Sequence, residues 1–282
     1  MAREAAELAS GKHAGSENFP VASRLVRAEL RPHLVAFYGF ARAIDDVADA
    51  PGVDGAEKRR RLAAFDAVLA GTSRDGPAKA IALKASLDET GVSPVHAREL
   101  IEAFVLDTEK TRYADWDELM SYCRLSAAPV GRHILDLHGE GAGLYPANDA
   151  LCHALQVINH LQDCGDDYRQ LDRVYLPEPW LTAEGLSVQV LAGTASPPGL
   201  RRVLDRLLDG TEALLAASHG FASDVKDSRL ALEIGAIQAL AEGLCMKLRR
   251  VDPLAVRATF TKPRMALVGL GGALGVWRAR RR

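Results

Sequence analysis

The chain has 282 residues, enough for one large domain or two small ones around a buried core. Hydrophobic residues make up 48%, which excludes global disorder, and 35 Lys and Arg against 37 Asp and Glu leave no charge excess to attract nucleic acid. The four cysteines, Cys123, Cys152, Cys164 and Cys245, form no C-x-x-C pair; this argues against a zinc site or a disulfide frame and predicts reduced thiols in a cytoplasmic protein.

Residues 1–15 are small and polar and are predicted to be disordered. No secretory signal pattern opens the chain, and no run reaches the about 18 consecutive apolar residues of a spanning helix. Apolar residues then recur at three and four over most of the length, and alternating strand patterns are scarce. The first helical region runs from Val21 to Asp49, with Pro32 opening its main part and Pro51 and Gly52 stopping it. Weaker helices are predicted near 55–70, 77–90 and 94–111, and a long one near 115–139. Gly139, Gly141, Gly143 and Pro146 mark a break before a helix from Asp149 to Leu171, which Pro177 and Pro179 close off. Helices over 197–220, 224–250 and 254–277 complete the set. With no dividing linker and no repeat, the prediction is a single all-α domain over 16–264, followed by a C-terminal apolar segment with a basic tail over 265–282. That last segment reads either as a final core helix or as a peripheral contact with the inner membrane face.

Two helical stretches carry the chemistry. In AFYGFARAIDDVADA, Tyr38, Arg42, Asp45 and Asp49 fall at i, i+4, i+7 and i+11, on one face of an otherwise apolar helix. In QVINHLQDCGDD, Gln156, Asn159, Asp163 and Asp167 fall at i, i+3, i+7 and i+11. Either ladder alone is ordinary on a solvated face. Like charges one turn apart weaken an isolated helix, however, so two ladders on apolar helices need a reason. A hard cation supplies one: Mg²⁺ takes oxygen ligands from a few carboxylates plus substrate phosphates and water. Two ladders facing one cavity predict a clamp of two or three Mg²⁺ ions on a diphosphate, with Arg42 as a phosphate contact. His160 and Cys164 lie inside the second ladder but off its face, and read as packing residues.

These patterns, with Tyr122-Cys123-Arg124-Leu125-Ser126-Ala127-Ala128-Pro129-Val130-Gly131 between them, resemble the motifs of the squalene/phytoene synthase family over about residues 16–265. The opening SENFPVASRLVRAELRPHLVAFYGFARAIDDVADAP and LDRVYLP look most like the bacterial hydroxysqualene synthases of the hopanoid pathway. The resemblance implies an isoprenoid-synthase helical bundle around a central cavity. It also implies Mg²⁺-dependent ionisation of presqualene diphosphate, and a water quench that needs no NADPH. Asp45, Asp49, Asn159, Asp163 and Asp167 would engage the metal. Ser16, Asn18, Tyr38, Arg42, Gln156 and Arg264 would bind the substrate, with Tyr38, Arg42, Tyr122 and Tyr175 as the catalytic set. Asn18 stands where the family has a serine, and Pro129 interrupts its usual run of small residues. Phe19, Phe37, Phe40, Tyr122 and Leu155 are candidates to line the apolar tunnel. The implied functional neighbours are a presqualene diphosphate synthase and a reductase of hydroxysqualene. Alternatives are head-to-head joining of two prenyl diphosphates and a non-catalytic assembly factor; the retained Asp45, Asp49, Asp163 and Asp167 speak against the latter.

Overall fold

The computed structural model describes residues 26–281. The predicted segment 1–15 and the candidates Ser16, Asn18 and Phe19 lie outside the described residues. Among the described residues there is no strand. The α-helices in chain order are α1 (Arg31–Ala48), α2 (Gly55–Leu69), α3 (Ala78–Thr90), α4 (Val95–Leu106), α5 (Trp116–Ser126) and α6 (Ala128–Leu137). They continue with α7 (Tyr145–Leu171), α8 (Glu178–Ala183), α9 (Pro198–Ala217), α10 (Phe221–Asp224), α11 (Ser228–Leu248) and α12 (Lys262–Ala279). Two compact units share the chain: one runs up to Lys110 and adds Pro129–Ala142, the other combines Thr111–Ala128 with Gly143–Arg282.

In the first unit α1 starts with Pro32 in its first turn, where the missing amide hydrogen has no helical partner to lose. Phe37, Phe40, Ile44 and Val47 recur at three and four and are buried. Phe40 meets Phe65 of α2 edge-on, with ring centroids 5.9 Å apart. Burying each such ring contributes about 1.5–3 kcal/mol, so this apolar side fixes which face of α1 is left for polar residues. Asp54 caps α2 by accepting from the Glu57 amide at 2.8 Å, and Gly91 ends α3 in the left-handed region at φ 73°.

The same unit buries His133 of α6, stacked on Phe37 with centroids 3.8 Å apart, and neither ring nitrogen has a hydrogen-bond partner. Burial pushes its pKa from 6.5 down to about 3, with His96 and His33 adding to the shift. The unfolded chain binds this proton near pH 6.5 and the folded one refuses it. Stability is therefore lost as pH falls from 6.5 towards 3, by up to about 1.4 kcal/mol per pH unit. His133→Phe should hold the urea midpoint at pH 7 and move acid unfolding to lower pH. An unmoved acid transition would contradict this reading.

Two of the longer predicted helices are divided or shortened in the structure. The helix predicted over 115–139 is two helices, broken at Ala127 (φ −123°, ψ −49°). Pro129 has no amide hydrogen, and its ring would clash with the Leu125 carbonyl in a continuous helix. The helix predicted over 254–277 starts only at Lys262. Asp252 holds the chain in a turn, accepting from the Ser196 amide and hydroxyl at 2.6 Å and from the Leu254 amide at 3.0 Å. Pro263 then sits in the first turn of α12, because deeper in a helix it would clash with the Thr259 carbonyl. Short elements that were not predicted are α8, α10 and the 3₁₀ turns over Ala142–Leu144 and Val188–Ala192. The C-terminal segment packs one side on α11, where a Cβ added to Gly272 would overlap the Gly235 carbonyl oxygen. No described helix is long and apolar enough to cross a membrane.

Candidate active site

The first ladder runs along α1 as the spacing required, with Asp49 as the residue that caps its C-terminus. Tyr38, Arg42, Asp45 and Asp49 are all half-buried, while Phe37, Phe40, Ile44 and Val47 beside them are buried. Arg42 Nη1 is 3.0 Å from Asp45 Oδ2, and its Nε is 3.4 Å from Asp46 Oδ1. The Arg42 side chain is only 20% exposed, so one guanidinium is set between two carboxylates at reduced solvent screening. Asp46 is a partner that the ladder spacing missed; its i, i+4 relation to Arg42 was the available signal.

The second ladder lies on α7. Gln156, Asn159, Asp163 and Asp167 are half-buried, flanked by buried Val157, Ile158, Leu161 and Cys164. Arg257 donates from Nη2 to Asp163 Oδ2 at 2.8 Å. Arg257 lies 94 positions away in a non-helical segment, and nothing local in the sequence marks it as a partner of Asp163. The segment is seated by Gly165, which leaves room for Leu254, and by Gln162, which donates to the Ala258 carbonyl. Arg264 is exposed on α12, with its guanidinium 5.7 Å from the centre of the Phe260 ring. Arg249 pairs with Glu212 and Asp209, which ties α11 to α9.

Tyr122 and Tyr175, far apart in sequence, come together in the second unit. Their ring centroids are 5.6 Å apart, and Tyr113 lies 5.6 Å from the first and 5.5 Å from the second. The chain leaves α7 through Asp172, held in the left-handed region (φ 51°) by Arg112 donating to its carboxylate at 2.6 Å. Val174 then donates to the Thr111 carbonyl and Glu178 to that of Tyr113. That return lays Tyr175 on His160, stacked at 3.5 Å. Burial, with Arg173 adding to it, pushes the His160 imidazole down to about 3, so the ring is neutral at physiological pH.

The donor set suits a hard cation. Asp45 and Asp163 are 26% and 30% exposed, each with a second carboxylate one turn further on at Asp49 and Asp167. The sulfur donor nearest the second ladder, Cys164, is raised to about 12 by burial and by the charges of Asp167 and Asp163, and stays a thiol. Among the described residues no three His, Cys, Asp or Glu side chains form a ready-made metal cage. Mg²⁺ commonly completes a few carboxylates with substrate phosphate oxygens and water.

An all-helical chain with two such ladders has clear relatives. The chain belongs to the squalene/phytoene synthase family, whose pattern it matches over residues 12–266. It is 44% identical to the hydroxysqualene synthase of Rhodopseudomonas palustris over 96% of this chain and 92% of that one. It is equally identical to the hydroxysqualene synthase of Zymomonas mobilis, with the same coverage. Among solved structures, the squalene synthase HpnC from Alicyclobacillus acidocaldarius superposes with a TM-score of 0.73 at 30% identity, over 84% of this chain and 90% of that one. A dehydrosqualene synthase superposes with a TM-score of 0.79 over 94% of this chain and 93% of that one; at 18% identity it shares the fold. The chain is thus an enzyme of isoprenoid biosynthesis with the helical fold of this family.

Proposed function

We propose that this enzyme ionises presqualene diphosphate and quenches the rearranged cation with water, giving hydroxysqualene and diphosphate. The observation that carries the reading is the pair of half-buried carboxylate ladders, each with an arginine at its central aspartate, in a chain 44% identical to two hydroxysqualene synthases. Asp45 and Asp49 on α1, and Asp163, Asp167 and Asn159 on α7, would hold Mg²⁺ directly or through water. Bound there with the diphosphate, Mg²⁺ would stabilise the charge that builds on the leaving group. Arg42 and Arg257, already set against Asp45 and Asp163, would pair with phosphate oxygens as substrate enters. Tyr38 and Gln156 would orient the diphosphate.

The carbon–oxygen bond breaks with its electron pair leaving on diphosphate. The rearranged cation takes a water oxygen, and the water proton passes to diphosphate or solvent, so no reductant is consumed. Tyr122 and Tyr175 are assigned to the cation, whose charge their ring faces would stabilise. The neutral His160 stacked behind Tyr175 adds no repelling charge there.

The test is product analysis with presqualene diphosphate and Mg²⁺, with and without NADPH. Hydroxysqualene in both reactions is expected. Squalene formed only with NADPH would replace water by hydride. Presqualene diphosphate made from farnesyl diphosphate alone would assign the chain to head-to-head condensation.

A further inference from the structure

The outward side of α12 displays residues that a packed helix normally hides. Leu267, Leu270, Leu274 and Trp277 are 72%, 62%, 49% and 42% exposed. They recur at i, i+3, i+7 and i+10, so they form one stripe along the helix. The opposite side is committed to α11: Gly272 meets Gly235, Val276 fills the space that Gly235 leaves, and Gly269 approaches Ala236. Arg280 fastens the end of the helix by donating to the Val225 and Lys226 carbonyls. The stripe cannot turn inward without breaking these contacts.

Charge selects the partner. No Asp or Glu occurs anywhere from Lys262 onward, and Arg278 and Arg281 lie at the C-terminal end of the stripe. Arg281 covers the Trp277 ring at 3.7 Å, placing a cation and an amphipathic ring at one end of an apolar surface. The helix is about 27 Å long at 1.5 Å per residue, yet it does not have the apolar character needed to cross a membrane. A helix with an apolar stripe, a basic end and no acidic residue is suited to lie in the plane of an anionic bilayer surface.

We propose that α12 docks this enzyme on an anionic lipid bilayer. Leu267, Leu270, Leu274 and Trp277 enter the boundary between headgroups and acyl chains, and Arg278 and Arg281 meet the anionic headgroups. The test is flotation of the full chain with vesicles of phosphatidylcholine alone or mixed with phosphatidylglycerol. Recovery with the mixed vesicles, weakened by salt, is expected, with a blue shift in tryptophan emission that Trp277→Phe removes. Leu270→Glu with Leu274→Glu should lower partitioning about tenfold or more, with turnover of detergent-dispersed substrate unchanged. Arg278→Ser with Arg281→Ser should weaken binding to the mixed vesicles and leave the fold intact, so the proposal stays testable if the glutamate variant unfolds. Unchanged flotation of the variants, or failure of the wild type to float, would overturn the proposal. So would a stable dimer that the glutamate pair splits, since the stripe would then belong to a second copy of the chain.

Discussion

Asp45→Asn and Asp163→Asn should each lower kcat by about a thousandfold or more while leaving the urea midpoint near that of the wild type. On the proposed function each aspartate would hold metal where leaving-group charge develops, so its neutralisation would cost several kcal/mol. The small effect on folding follows from placement: both side chains are partly exposed, and asparagine keeps their volume. The Arg257–Asp163 pair is open enough to solvent to contribute only about 0–1 kcal/mol, and Arg42 keeps Asp46 as a partner when Asp45 is neutralised. Steady-state turnover and denaturant titration on the same preparations check both halves. Retention of most activity in either variant would remove that aspartate from the assigned machinery.

Arg42→Lys should cost about a hundredfold or more in kcat/KM, which places Arg42 beyond a simple charge partner. Arg42 spans Asp45 and Asp46 through different nitrogens, a fork that the compact lysine ammonium cannot reproduce. The same fork is what a diphosphate oxygen pair would need. Arg257→Ala should do less, and mainly to KM, because its side chain is 49% exposed and sits on a non-helical segment. Equal losses in the two variants would contradict this ranking.

The ladders were legible because a helix repeats every 3.6 residues: Tyr38, Arg42, Asp45 and Asp49 had to share a face once α1 was recognised, and the buried phenylalanines fixed which face. The same arithmetic found Gln156, Asn159, Asp163 and Asp167 on α7. It failed where the chain leaves regular structure. The break at Ala127 depends on Pro129, whose effect competes with favourable helical periodicity on both sides. The late start of α12 depends on the hydrogen bonds from Ser196 to Asp252, made across 56 positions. Arg257 reaches Asp163 only because that non-helical segment is seated against Gly165 and Gln162. Tyr113 joins Tyr122 and Tyr175 only through the left-handed turn at Asp172. Each of these is a long-range consequence of local exceptions, which a pattern of spacings does not record.

The most direct measurement is equilibrium binding of inorganic diphosphate to the wild type and to Asp45→Asn and Asp163→Asn, with and without Mg²⁺. The account predicts tight binding only when the metal is present, and loss of that metal-dependent binding in each variant separately. Diphosphate binding that ignores Mg²⁺, or that survives removal of either carboxylate, would contradict it.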